Sequence, residues 1–204
     1  MFYITKDKEP EELKIFRNNL FAQRKKRYNW DMCPLEVKQA IRRSLVSEQN
    51  GLCAYCTRKI DETCNIEHFK ARCNNHSKMF EYENMLGVDC KSGLDYRFQG
   101  LCEDGRGGKS LTLSPLDRQM VSGIYYLSDG TIKHDKYQND LDNVLNLNHQ
   151  IFKQKRVGCL KAFKAQNIPQ GNYNFYIDFY KKQPYGGIVV FYLETLKLNP
   201  KFIL

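Results

Sequence analysis

Leu52-Cys53-Ala54-Tyr55-Cys56 opens a stretch that continues through Ile66-Glu67-His68-Phe69 and Glu83-Asn84-Met85-Leu86 to Cys102-Glu103-Asp104. Cysteines three positions apart put two thiolates at one turn, where both can reach a single tetrahedral Zn2+. A second pair must complete such a site. Cys90 with Cys102 is the expected pair, and Cys64 and Cys73 are its rivals. Four protein ligands would leave no open position, so the zinc would be structural. The alternative for a lone C-x-x-C is a thioredoxin-like redox pair. That alternative expects a helix starting at the motif, which Thr57-Arg58-Lys59-Ile60 does not strongly supply. Cys33 and Cys159 fall in helical segments and read as small buried hydrophobes.

Around this stretch the hydrophobic pattern changes period. Residues 10–30 predict a helix, with Pro10 at its first position and Leu13, Phe16, Leu20 and Phe21 on its apolar face. A second helix is predicted from Pro34 to Gln49 and stopped by Asn50-Gly51. Residues 52–109 hold short strand-like pieces and many turn residues, which suits a segment held by a bound metal rather than a large core. Residues Leu111 to Lys133 turn β-like, with a hairpin signal at Asp129-Gly130. One helix is predicted over 140–166, then one before Pro184 and one from Gly187 to about Leu198. The expected class is α+β: an N-terminal helical segment (1–50), a metal-stapled core with a hairpin extension (51–135), and a C-terminal helical region (136–204), whose aromatic-rich tail is compatible with partner docking.

The chain has 204 residues, and its 32 Lys and Arg against 23 Asp and Glu give a net charge of +9. That balance favours a polyanionic partner, because Lys and Arg neutralise phosphates. Arg24-Lys25-Lys26-Arg27 reads as a solvated helix end or a phosphate-contacting patch. The N-terminus shows no apolar signal region, and Ile188 to Leu193, the longest apolar run, is too short to span a bilayer. The expectation is a cytoplasmic chain without a membrane, whose eight cysteines are metal ligands or buried thiols.

A polyanionic partner gives Glu67 and His68 a chemical meaning. Phosphodiester hydrolysis needs a base to activate water and a cation to stabilise the charge that develops. His68 can be the base, and Glu67 is a hard oxygen ligand suited to Mg2+ or Mn2+. Neighbours on a strand point to opposite sides, so a bend or loop at Phe69-Lys70 is needed to bring both to one site. Asn84 can fix the loop that carries His68, or ligate the metal. Glu103 or Asp104 can supply a second carboxylate, and Lys70 and Arg72 are placed to hold a backbone phosphate. Gly105-Arg106-Gly107-Gly108-Lys109 reads as a basic loop without a P-loop pattern. His76, His134 and His149 read as surface or capping residues. The competing reading is a non-catalytic zinc-stapled module that binds nucleic acid or protein.

Taken together, these residues resemble the HNH (ββα-metal) endonucleases. More narrowly, the chain resembles the PtuB-like HNH subunits of Septu-type and retron-associated antiphage systems. The likeness includes the Glu48-Gln49-Asn50-Gly51-Leu52 junction, Leu113-Ser114-Pro115-Leu116-Asp117, the Asp129-Gly130 turn and Val144-Leu145-Asn146-Leu147-Asn148, and covers roughly residues 34–160. The resemblance implies a zinc-stapled ββα-metal core with helices packed around it. It implies His68 as general base, Glu67 at the first metal-ligand position and Asn84 as the central asparagine. Glu103 stands where the family usually has His, Asn or Asp. The implied cofactors are structural Zn2+ and catalytic Mg2+ or Mn2+. The implied partners are a DNA or RNA substrate, an ABC-type ATPase that gates the nuclease and, in retron versions, a reverse transcriptase with its DNA product.

Overall fold

The computed structural model describes residues 1–22, 28–72, 76–89, 99–166 and 172–198. The fold is mixed α+β, with helices around two small two-stranded antiparallel sheets. In chain order the elements are α1 (Glu11–Ala22), α2 (Leu35–Glu48), β1 (Asn65–His68), β2 (Met85–Val88), α3 (Glu103–Arg106), α4 (Arg118–Ser122), β3 (Tyr125–Tyr126), β4 (Ile132–Lys133), α5 (Gln150–Lys164), α6 (Tyr173–Tyr180) and α7 (Gly187–Leu198).

The β1–β2 ribbon separates two apolar clusters. Leu13 and Leu20 of α1 and Val37, Ile41 and Leu45 of α2 pack with Met79, Phe80, Tyr82 and Met85 on one side. Leu86 and Val88 join the second cluster, built largely from residues beyond 100. Strand alternation explains the split: Met85 faces one core, and Leu86 and Val88, two apart, face the other. Leu13, Ile41 and Leu45 are wholly buried. Trimming any of them to Ala would cost about 2–5 kcal/mol.

The α2 C-terminus delivers the chain to the cysteines. Asn50 and Gly51 both take positive φ, and the Gly51 amide reaches back to the Val46 carbonyl at 2.8 Å. This is the left-handed ending that Asn and Gly tolerate best. The buried Gln49 amide then acts as an extra strand. Its Nε2 donates to Leu52 and Gly87 carbonyls at 2.8 Å each, and its Oε1 accepts the Gly87 amide at 2.7 Å. All its polar atoms are met, so the clamp carries no desolvation debt.

The structure departs from the sequence expectations in four places. The first helix is described over Glu11–Ala22 and Tyr28 and Asn29 are not helical; residues 23–27, with Arg24-Lys25-Lys26-Arg27, lie outside the described residues. The single helix expected over 140–166 is two pieces. A π-helical turn spans Asp140–Val144, Asn146 takes a φ of 49°, and α5 starts only at Gln150. The side chains between them serve other segments: Asp140 accepts the Thr112 and Leu113 amides, and Asn148 brackets Ile132 through both its amide atoms. Such competition breaks a helix. The β-like run from 111 to 133 forms strands of only two residues and includes α4, capped by Asp117, whose Oδ1 accepts the Gln119 and Met120 amides. The Gly105–Lys109 loop begins inside α3. By contrast, α2, α6 and α7 lie where expected. No helix among the described residues is long and apolar enough to cross a membrane.

Candidate active site and cysteine cluster

Cys53 and Cys56 lie on a tight turn, in which the Cys53 amide donates to the Arg58 carbonyl and the Thr57 amide returns to Cys53. Thr57 takes a φ of 59°, which closes the turn. Cys102 arrives from the other side with its amide on the Leu145 carbonyl at 2.7 Å. The three thiols are buried and their sulfurs lie within 4.8 Å of one another. The Cys53 and Cys102 sulfurs are 3.6 Å apart. A tetrahedron with zinc–sulfur arms of ~2.3 Å has edges of ~3.8 Å, so this spacing fits a shared metal ion and not a disulfide. The group can hold an ion such as zinc.

Their electrostatics agree. Burial raises Cys56 and Cys102 well above the ordinary thiol range. Burial acts on Cys53 too, but hydrogen bonds from Cys102, Cys56 and the backbone amides of Cys56 and Tyr55 overcome it and pull this thiol well down. The three sulfurs thus share their protons unequally, with Cys53 the readiest to lose its own. Cys90 and Cys73 lie outside the described residues. Cys64 is buried but is not part of the three-thiol group. Cys33 is buried against the α1–α2 core, and Cys159 is half-buried.

Beside this cluster lies a cavity of about 610 Å3. Glu67, His68, Arg72, Glu103, Trp30 and Arg42 are among its lining residues. All four residues of β1 contribute to its wall, so Glu67 and His68 share it although they are neighbours on a strand. The chain bends at Phe69 and Lys70, as that pairing requires.

His68 is 5 % exposed, and its Nε2 lies 2.8 Å from the Met79 carbonyl. A carbonyl only accepts, so Nε2 carries the proton and the neutral ring keeps its lone pair on Nδ1. Burial, aided by the Arg72 charge, lowers its pKa to about 4 despite the Met79 bond, so the ring is neutral at pH 7. Trp30 packs edge-on against it, with ring centroids 4.7 Å apart. Burial pushes Glu67 up to about 7; nearby Glu103 adds to the rise and Arg106 opposes it. Glu103 is also raised, by burial and by Asp104, against a hydrogen bond from Asn65. Burial is thus the main reason both carboxyls stand above their ordinary range.

The Asn84 side chain is bonded to the loop after His68 and is not among the residues lining the cavity. Its Oδ1 accepts the Lys70 amide at 2.8 Å, and its Nδ2 donates to the Lys70 and Lys78 carbonyls at 3.1 and 3.2 Å. Asp104 turns to the Gly100 amide at 2.6 Å and does not line the cavity. Arg72 lines it and is exposed; Lys70 is exposed nearby. His134 is a buried cap, bonded to the Met120 carbonyl and the Lys136 amide, and His149 caps α5. The His76 side chain lies outside the description.

No family model matches the chain, and no curated protein matches it.

The sequence reading missed three residues of the site. Arg106, assigned to a loop, is buried in α3 and donates to Tyr55, Glu67 and Phe69. Its signal was its place four residues after Cys102, on the same helical face. Trp30 and Arg42 come from segments distant in sequence, and Arg42 is fixed by its Nε on the Cys64 carbonyl at 2.9 Å. No local pattern marks either one.

Proposed function

We propose that this chain is a metal-dependent nuclease of the HNH (ββα-metal) type, hydrolysing phosphodiester bonds of nucleic acid. The observation that carries the reading is a neutral histidine, tautomer fixed with Nδ1 unprotonated, in one cavity with Glu67 and Glu103. Further support comes from element order: among the described residues antiparallel β1 and β2 precede α3, as in a ββα-metal core, and the buried thiols stand beside it.

In this reading His68 takes a proton from the attacking water at Nδ1, while its Nε2–H stays on the Met79 carbonyl. A pKa near 4 makes His68 a weak base on its own. The negative charge of an arriving phosphate would raise it and improve proton transfer. Two hard carboxylates in one cavity fit a divalent cation, whose positive charge would offset the burial that raises both. Glu67 and Glu103 would hold Mg2+ or Mn2+, which when bound supplies positive charge to the phosphate oxygens. Arg72 and Lys70 would face the phosphates that flank the cut. Asn84 keeps the loop beneath His68 in place. Zn2+ would sit at Cys53, Cys56 and Cys102, with Cys90 as the fourth ligand. An ATPase-gated antiphage assembly is proposed from the resemblance alone, and co-purification with an ABC-type ATPase tests it.

The deciding experiment is His68→Ala. Cleavage should disappear while zinc content stays at wild type; thermal unfolding should fall but remain cooperative, because the buried ring loses its Met79 bond and its packing on Trp30. Unchanged Mg2+-dependent cutting by this variant would sink the mechanism. Wild-type binding that ignores Mg2+ and never yields ends would favour the non-catalytic module.

A further inference from the structure

We propose that Arg106 is a positioning residue that clamps the Glu67–His68 strand to the cysteine cluster, so that the shape of the cavity depends on an intact cluster. This rests on the nuclease reading of the cavity. Arg106 is 3 % exposed, and its guanidinium gathers three segments of chain. Nη1 donates to the Tyr55 hydroxyl at 3.1 Å, and Tyr55 sits between Cys53 and Cys56. The same nitrogen pairs with Glu67 and lies 3.5 Å from the His68 carbonyl. Nη2 donates to the Phe69 carbonyl at 2.7 Å, at the bend that lets Glu67 and His68 share the cavity. Nε closes on the Lys109 carbonyl at 3.2 Å.

The element that carries Arg106 is itself anchored by the cluster. Cys102 is the N-cap of α3 and takes a φ of 58°, a left-handed conformation that a cysteine adopts only when its surroundings hold it there. Glu103, the next residue, lines the cavity. Gly105 follows, and a methyl there would overlap the Gly100 carbonyl, so α3 has little room to shift. A cluster cysteine, a cavity carboxylate and the clamp thus ride on one turn of helix. Only a planar fork with five donors satisfies these acceptors together; an ammonium restores the charge but not the reach.

The test compares wild type with R106K and Y55F, all loaded with zinc. Both substitutions preserve the charge near Glu67, so effects on cation binding reflect geometry. Trp30, the only tryptophan, packs on His68 and reports the cavity through its emission and its quenching by acrylamide. R106K should keep one zinc per chain, alter Trp30 quenching, weaken Mn2+ binding about 10-fold and lower kcat at least 10-fold with KM changed less than 2-fold. Y55F should move the same readouts in the same direction, about 3-fold, at unchanged zinc content; it decides the matter if R106K fails to fold. Wild-type quenching, Mn2+ affinity and kcat in Y55F and R106K would overturn the proposal. Loss of zinc from R106K would also overturn it, because Arg106 would then build the cluster instead of linking it to the cavity. If wild type binds no Mn2+ and cuts nothing, the nuclease reading fails, while Trp30 quenching still tells whether the clamp exists.

Discussion

Asn84→Ala should destabilise the protein by about 2–3 kcal/mol. Its buried amide makes three hydrogen bonds, to the Lys70 amide and to the Lys70 and Lys78 carbonyls. Each such bond contributes roughly 0.5–1.5 kcal/mol net. Lys70 is exposed, so its backbone recovers part of the loss from water, and the sum settles toward the middle of the range. The Asn84 carbonyl still accepts the Phe69 amide at 2.9 Å, which limits the loop's release. Asn84→Asp separates this account from simple loss of packing. It keeps the acceptor for the Lys70 amide but turns an oxygen toward two carbonyls, so the near-isosteric change should cost at least as much as alanine. The assay is equilibrium urea unfolding of zinc-loaded protein, with equal slopes as the check on a common unfolded state. The effect should reach the chemistry as well. The Met79 carbonyl that orients His68 is one residue past Lys78, so kcat should fall ten- to hundredfold. A loss below about 0.5 kcal/mol in Asn84→Ala, or an Asn84→Asp variant as stable as wild type, would refute the reasoning.

Two further outcomes follow. Burial holds Glu67 up at about 7, so its proton competes with a cation: Mn2+ affinity should rise with pH, about 10-fold between pH 6 and pH 8, as read by electron paramagnetic resonance titration, and Glu67→Gln should weaken the dependence to the part that Glu103 supplies. Cys102→Ser removes one of the three buried sulfurs, so it should lose the stoichiometric zinc measured by elemental analysis and unfold at lower temperature, whereas Cys159→Ser should retain the metal.

How far the sequence could be read depends on how local each signal was. The Cys53–Cys56 turn, the stop at Asn50-Gly51 and the Asp129-Gly130 turn are written in adjacent residues, and all three are present. The separation of the helix over 140–166 was hidden because Leu141, Val144, Leu145 and Leu147 are buried whether or not the helix is continuous. What breaks it is Asp140 and Asn148 bonding to segments well before them in sequence, which periodicity does not encode. The short α4 was legible in principle, since Asp117 two residues after Pro115 is an N-cap signal. Of the candidate site, Cys53 and Cys56 of the thiol group and Glu67 and His68 of the cavity were picked out by residue type and spacing. Arg106 was not, because glycines on both sides disguise a buried helical arginine as a loop. Nor could sequence tell Glu103 from Asp104: the difference is the direction of one turn of helix, which sends Glu103 into the cavity and Asp104 to Gly100.

The central claim is that the cavity beside the cysteines holds a divalent cation next to His68. Anomalous diffraction from crystals soaked in Mn2+, recorded at the zinc and manganese edges, tests it most directly. The account predicts a zinc peak among the sulfurs of Cys53, Cys56 and Cys102, and a separate manganese peak bound by Glu67 and Glu103. A zinc peak alone, with no manganese in the cavity at saturating Mn2+, would contradict it.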